Sequence, residues 1–423
     1  MSVAQQSATG NITYEDLYRR WEQGNWKAMD IDFSSDGEGW DALTDIQRKS
    51  ALWIYSMFFF GEDSVTDNLS PYIDAAPTEE QKYFLATQQV DEARHAVFFH
   101  RFFKEVIGAG DSISATLAFT ESQLGWGYRG VFERLDRMAE ELRRDRSLPK
   151  FAQAITLYHL IVEGALAQPG QHFIEDFFVR EGTMPGFSSG MVNVSRDEQR
   201  HIGFGVKMLS ELLAESDECK AAVVELLRET GQYSVAVFTP PNWDREYTES
   251  YGFTLEEIFA FGLRLIRQRW RTIGFPIEEM PADVFPFDHS KTDEEIAADQ
   301  IKLLEAGVVG EPNANPDSSP ETQRLYFDLI ARTADTAAVN GDSLTYQWRF
   351  SDADPWHVIV ANGSTRAEPG EAPNPTLTLE ASWSDWIASS MGQSDPRMMM
   401  LKRKLRPHGP LRELVRMGKV FPG

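Results

Sequence analysis

The chain has 423 residues and a formal net charge of −24, with 41 Lys and Arg against 65 Asp and Glu. That balance argues against nucleic acid as a partner, because phosphate binding needs clustered cations. Cys219 is the single cysteine, so neither a disulfide framework nor a thiolate metal site is available.

Met1 to Asn11 is polar and lacks the basic and apolar regions of a signal peptide. The longest apolar run, Ala51 to Phe60, is too short to span a bilayer, and a soluble cytoplasmic protein is expected. From Thr13 to Gly274, apolar residues at three- and four-residue spacing predict helices over 43–68, 78–107, 112–143, 148–180, 187–214 and 254–273. Thr78 after Pro77, with Gln81 three residues on, is a capping-box start for the second of these. Gly186-Phe187-Ser188-Ser189-Gly190 matches a nucleophile-elbow pattern, but no strand precedes it. It reads as a loop into the next helix.

A Gly-, Pro- and Asn-rich stretch separates two domains, giving expected boundaries of 1–304, a linker over 305–321, and 322–423. Beyond it the period changes to alternation. Leu344, Tyr346 and Trp348, then His357 to Ala361 and Thr376 to Leu379, read as strands, and Trp383 to Met391 and Pro410 to Val420 as helices. From Arg397 onward Arg397, Lys402, Arg403, Lys404, Arg406, Arg412, Arg416 and Lys419 face one acid, Glu413. An ordinary solvated surface is expected there, with membrane contact as the less favoured reading.

The chemistry lies in a repeated pattern. Asp91-Glu92-Ala93-Arg94-His95 and Asp197-Glu198-Gln199-Arg200-His201 each place a glutamate and a histidine three residues apart, on one face of a helix. A dinuclear carboxylate centre in a four-helix bundle needs two such units and one further glutamate from each of two other helices. Glu62 and Glu163 precede the two units and sit in stretches too apolar for a solvated face. Burying a lone carboxylate costs several kcal/mol unless it is paired or metal-bound. Four carboxylates and two imidazoles favour Fe or Mn over Zn. Asp91 and Asp197 are candidates to orient the histidines, or simply partners of Arg94 and Arg200.

With these motifs in order, residues 20–275 resemble the ribonucleotide reductase small-subunit superfamily, and within it the ligand-binding oxidases that carry a manganese–iron cofactor. The resemblance rests on Trp26 in Asn-Trp-Lys-Ala-Met-Asp, on Gly61-Glu62-Asp63-Ser64-Val65, on both Glu-x-x-His units, and on Tyr158 to Gly164. It implies a mainly α, ferritin-like four-helix-bundle core with additional helices. Glu62, Glu92, His95, Glu163, Glu198 and His201 would be the metal ligands, with Trp26 and Asp197 in a hydrogen-bonded network around His95. Reductase subunits carry a radical-forming tyrosine four residues after the first ligand histidine, where this chain has Phe99. The oxidases instead couple a valine and a tyrosine into an ether cross-link, and Val65 and Tyr158 match those two positions. The resemblance further implies Mn and Fe, or two Fe, molecular oxygen, a long-chain fatty acid or similar lipid in an apolar tunnel, and a homodimer. Phe58, Phe59, Phe98, Phe99, Phe102 and Phe103 could line such a tunnel but read more simply as core.

Residues 318–423 resemble the sterol-carrier-protein-like lipid-binding domain, through Tyr346-Gln347-Trp348-Arg349-Phe350, Trp356 to Val360, the Gly370-Glu371-Ala372-Pro373 turn and a terminal helix. A small C-terminal α+β domain is therefore expected. The function expected is oxygen-activating, two-electron C–H oxidation at a dinuclear centre. The alternatives are a reductase small subunit with a non-tyrosyl radical carrier, and a non-enzymatic lipid-binding or metal-storage protein.

Overall fold

The computed structural model describes residues 12–339 and 341–421, so Met1 to Asn11, the segment examined for a targeting signal, lies outside the described residues. The chain forms two compact units, Met1–Glu279 and Met280–Gly423. The first contains α1 (Tyr14–Gly24), α2 (Asp36–Ala42), α3 (Asp45–Asn68), α4 (Ser70–Ala75), α5 (Glu79–Phe102), α6 (Ile113–Glu121) and α7 (Trp126–Arg144). It continues with α8 (Leu148–Ile155), α9 (Gln168–Glu181), α10 (Pro185–Glu215), α11 (Asp217–Val235), α12 (Glu246–Glu249) and α13 (Leu255–Ile273). Two stretches are π-helical: Phe103–Ile107 at the end of α5, and Thr156–Ala167, which joins α8 to α9 without a break.

Local chemistry sets the helix starts. Thr44 with Gln47, Thr78 with Gln81 and Thr254 with Glu257 form reciprocal capping boxes at α3, α5 and α13. The single helix expected over 112–143 is two, because Gly125 takes an extended conformation as the N-cap of α7 while Leu124 is buried in the turn. Gly186 to Gly190 is not a loop but the opening of α10. Asp36 caps it from α2, accepting the backbone N–H groups of Gly186 and Phe187 at 2.9 and 2.7 Å. Helix α11 falls outside the elements expected from sequence. It is held by buried Cys219, Val223, Val224, Leu226 and Leu227.

Between α3, α5, α9 and α10 lies an aromatic core in which Phe98, Phe99, Phe102 and Phe187 are fully buried. Phe58 and Phe99 stack at 5.8 Å, and Phe102 meets Phe187 at 4.2 Å. Such contacts fix the rotation of α3, α5 and α10 about their axes, and that rotation decides which residues face the bundle interior.

The second unit holds α14 (Asp293–Glu305), α15 (Pro320–Thr333), β1 (Leu344–Phe350), β2 (Trp356–Ala361), β3 (Ser364–Pro369), β4 (Leu377–Ala381), α16 (Trp383–Ser390), α17 (Pro396–Leu401), β5 (Arg406–His408) and α18 (Leu411–Val420). Leu303 and Val308 are buried in its core with Tyr326, Phe327 and Trp348. That packing places α14 here, so the division between units falls upstream of the expected 305–321 linker. The sheet order is β3-β2-β1-β4-β5, antiparallel except for the parallel β1–β4 pair. Strands β3 and β5 are short edges with polar sequence, which is why alternation did not reveal them. No helix among the described residues is long and apolar enough to cross a membrane.

Candidate metal centre

Each helix of the bundle contributes one part of a buried acidic cluster. From α3 comes Glu62, from α5 Glu92 and His95, from the π-helical segment Glu163, and from α10 Glu198 and His201; all six are at most 6% exposed. They form two overlapping groups able to hold a metal ion, Glu62, Glu92, His95 and Glu198, and Glu92, Glu163, Glu198 and His201, with one donor atom of each residue within 4.8 Å of the others. Glu92 and Glu198 belong to both groups. Two centres sharing two carboxylates is the arrangement of a dinuclear site.

Both imidazoles turn Nδ1 inward and Nε2 outward. His95 Nδ1 lies 3.2, 3.3 and 3.5 Å from carboxylate oxygens of Glu62, Glu92 and Glu198. His201 Nδ1 lies 3.1 and 3.3 Å from Glu92 and Glu163. Although it is that near, His201 Nδ1 lacks a hydrogen-bond partner of acceptable geometry, as do the buried Oε2 atoms of Glu163 and Glu198. Buried donors and acceptors left unpaired are costly. Oxygen and nitrogen atoms aimed at common points within the cluster fit metal cations, which would satisfy them all.

Burial pushes the carboxyls of Glu62, Glu163 and Glu198 above the usual range. Burial acts on Glu92 in the same sense, but His201 and His95 outweigh it and hold Glu92 well below. For the imidazoles burial favours the neutral form. The surrounding carboxylates win, Glu62, Asp197 and Glu198 at His95 and Glu92, Asp91 and Glu163 at His201, and both rings are raised well above their usual value. The cluster therefore retains protons that a divalent cation would displace.

Outside it the two aspartates cross over. Asp197 faces His95 Nε2 at 3.3 Å and Asp91 faces His201 Nε2 at 3.1 Å, so each histidine is oriented by the aspartate on the opposite helix. Trp26, which the resemblance puts in a network around His95, donates to Asp197 at 2.8 Å. Trp21 donates to Asp91 at 2.9 Å and is its counterpart. Arg94 and Arg200 each pair with both aspartates, closing a ring of alternating charge. The two roles weighed for the aspartates, histidine partner and salt bridge, are both filled.

Tyr158 is buried beside the cluster, donating to Glu92 Oε1 at 2.6 Å and accepting from Gln88 Nε2 at 3.0 Å. Burial, with Glu163, Glu92 and Glu198 nearby, keeps the phenol protonated by raising it well above its usual value. Gln88 also donates to Glu163 Oε1 at 2.7 Å, while its carbonyl faces His159 Nε2 at 3.0 Å. Burial lowers His159 to about 3, so the ring is neutral and donates to that carbonyl. Arg269, buried and lowered to about 10, donates to Gly164 O, a carbonyl of the π-helical stretch. Trp21, Gln88, His159 and Arg269 escaped the sequence reading. A polar residue within an apolar run is the signal His159 offered; Trp21, Gln88 and Arg269 offered none, since their partners are distant in sequence.

An apolar cavity meets the cluster. It has about 580 Å³ of space, part of it open to solvent. Glu62, Glu92, Glu163 and Glu198 share its wall with Val65 and Tyr158, and Met57, Phe132, Leu166 and Phe238 extend it. Of the six phenylalanines considered as lining, Phe58 takes part. The other five are fully buried in the core.

The family described as "Ribonucleotide reductase, small chain" matches residues 11–237, and the SCP-2 sterol transfer family matches residues 328–422. Among solved structures, a point variant of an R2-like ligand-binding oxidase with an anaerobically reconstituted Mn/Fe cofactor is 23% identical, covering 64% of this chain and 97% of its own, with a TM-score of 0.54. The R2-like ligand-binding oxidase from Sulfolobus acidocaldarius is 24% identical, covering 69% of this chain and 97% of its own, with a TM-score of 0.51. These likenesses show the fold of the helical unit.

Proposed function

The chain belongs to the ribonucleotide reductase small-chain family, and on that premise we propose that its helical unit is an oxygen-activating dinuclear oxidase of the ligand-binding type. The observation that carries this reading is the opening of a six-residue carboxylate–histidine cluster onto an apolar cavity that Val65 and Tyr158 also line. Glu62, Glu92, His95, Glu163, Glu198 and His201 would hold Mn and Fe, or two Fe, with Glu92 and Glu198 shared. A redox-active pair bound there supplies the capacity to reduce dioxygen and to oxidise an unactivated C–H bond.

The chain's own groups prepare that oxidation. Asp197 and Asp91 hold His95 and His201 with Nδ1 inward. Tyr158 presents its hydrogen to Glu92 and its oxygen to the Gln88 amide, which can support the oxygen once the hydrogen has left. The apolar wall limits water around Val65, which is 4% exposed. Forming a C–O bond between Tyr158 Oη and a Val65 carbon removes one hydrogen from each residue, a two-electron oxidation whose electrons pass to dioxygen. Fully buried Phe99, in the place of a radical-forming tyrosine, weighs against the reductase alternative.

The apolar side chains of Met57, Phe132 and Leu166 beside the carboxylates support a long-chain fatty acid or similar lipid as the ligand of this cavity. The match of residues 328–422 to the SCP-2 sterol transfer family supports a lipid-carrying role for the C-terminal unit. Homodimer formation belongs to the same reading and is open to sedimentation analysis. The deciding experiment is metal analysis with peptide mass spectrometry after aerobic reconstitution. Two metal ions per chain and a Val65–Tyr158 peptide lacking two hydrogens are expected. Metal-loaded protein with both peptides uncoupled would overturn the cross-linking.

A further inference from the structure

We infer that α17, the turn after it and α18 form a docking surface for an anionic membrane. In a chain of net charge −24, the residues from Arg397 onward carry eight cations and one acid. Four of the most exposed large apolar side chains fall within the same stretch: Met398 at 47%, Leu401 at 76%, Leu411 at 75% and Val415 at 60%. The two helices are built alike. Each buries a methionine inward, Met399 in α17 and Met417 in α18, and turns apolar side chains outward between cations. Met398 and Leu401 lie between Arg397 and Lys402; Leu411 and Val415 flank Arg412, with Lys419 one turn beyond Val415.

Some of the basic groups are neutralised within the unit. Lys404 pairs with Asp385, Arg406 with Glu380, Arg416 with Asp342, and Arg412 with Glu413. Arg397, Lys402, Arg403 and Lys419 are exposed and show no ion pair among the described residues. Arg403 also takes φ 57, in the left-handed region that glycine adopts more cheaply. The turn thus keeps a cation at its tip despite the strain.

Uncompensated cations together with protruding apolar side chains are what an interface of anionic headgroups and acyl chains recognises. An acidic protein face would match the cations but leave Leu401, Leu411 and Val415 in water. This face is exposed whatever chemistry the helical unit performs.

The test uses the full chain and vesicles of phosphatidylcholine alone or mixed with an equal part of phosphatidylglycerol, separated by sedimentation. Binding to the mixed vesicles is expected to exceed binding to the neutral ones by about tenfold or more at low salt and to weaken as salt is added. Two variants should each lose about tenfold in partitioning, K402E combined with R403E and L411S combined with V415S, with helical content unchanged by circular dichroism. R403G relieves the positive φ, so it should keep or raise thermal stability while binding less. Equal binding to both vesicle types, no binding to either, or variants that bind like the parent would each overturn the inference. So would salt-sensitive self-association without lipid that K402E with R403E abolishes, since the partner would then be a second copy.

Discussion

Tyr158 donates its phenolic hydrogen to Glu92 across 2.6 Å, and Glu92 is one of the two carboxylates common to both halves of the acidic cluster. The residue expected to be oxidised is therefore hydrogen-bonded to a group that both metals would share. Replacing Tyr158 by Phe removes this bond and leaves the Gln88 amide donor without one acceptor. The metal-free protein should lose about 1.5–3 kcal/mol in denaturant unfolding, the range for hydrogen bonds to charged groups. Metal content should be retained and no coupled peptide should form; a Y158F protein as stable as the parent would show that the bond contributes little.

The crossed aspartates make a prediction that sequence proximity would get backwards. Asp91 adjoins Glu92 on α5 but orients His201 of α10, while Asp197 orients His95. Asp91→Asn should behave like His201→Ala and Asp197→Asn like His95→Ala in titrations of the metal-free protein with Mn²⁺, each aspartate change weakening one of the two sites about 10–100-fold. If Asp91→Asn instead follows His95→Ala, the crossed orientation is wrong.

Stability of the metal-free protein should fall as pH rises. Glu62, Glu163 and Glu198 are raised in the folded chain above their usual 4.5. Their contribution is complete below that value and is lost as pH climbs through the folded values. His95 and His201, raised above their usual 6.5, act in the same direction, their contribution being lost as pH rises further. Glu92 and Asp197 are lowered, so theirs is present above the usual carboxylate range and is lost on acidification. On the alkaline side the first five dominate. Cations displace the same protons, so the melting-temperature gain on metal loading should widen from mildly acidic to mildly alkaline solution. A gain independent of pH would contradict the proton-retaining cluster.

Gly170 lines the cavity, and a Cβ placed on it would lie 3.1 Å from the Phe58 ring. Gly170→Leu should push Phe58 into the cavity, at a cost of about 1–3 kcal/mol for overpacking. Metal content should stay near two ions per chain, while the lipid recovered by solvent extraction drops. Unchanged lipid in a folded G170L protein would place the ligand elsewhere.

How much of this was legible beforehand follows from the range of the interactions. Glu92 with His95 and Glu198 with His201 were readable because helical geometry alone stacks residues three apart. Glu62 and Glu163 were readable because carboxylates in apolar runs need partners. Asp197 was readable from its place beside Glu198, whereas Trp26 entered only through resemblance; the two are hydrogen-bonded. The exchange of aspartates between α5 and α10 was hidden, because the pairing of Asp91 with His201 depends on how two distant helices are rotated. Gln88 was hidden for the same reason: its partners Tyr158, His159 and Glu163 come from one wall of the bundle while Gln88 comes from another. The split between α6 and α7 and the edge strands β3 and β5 depend on short polar segments whose conformation is decided by what packs over them.

The π-helical course of Thr156–Ala167 has a consequence for the spacing of its two working residues. Tyr158 and Glu163 are five apart, and in a regular α-helix of 3.6 residues per turn they would point about 140° away from each other. With hydrogen bonds from each residue to the fifth, the helix winds more slowly, at roughly 4.4 residues per turn, so five residues overshoot one turn by only about 50° and both side chains reach the same interior. The widened backbone is thus a register device. It lets a phenol and a carboxylate five positions apart share one side of a single helix, where ordinary winding would need three or four.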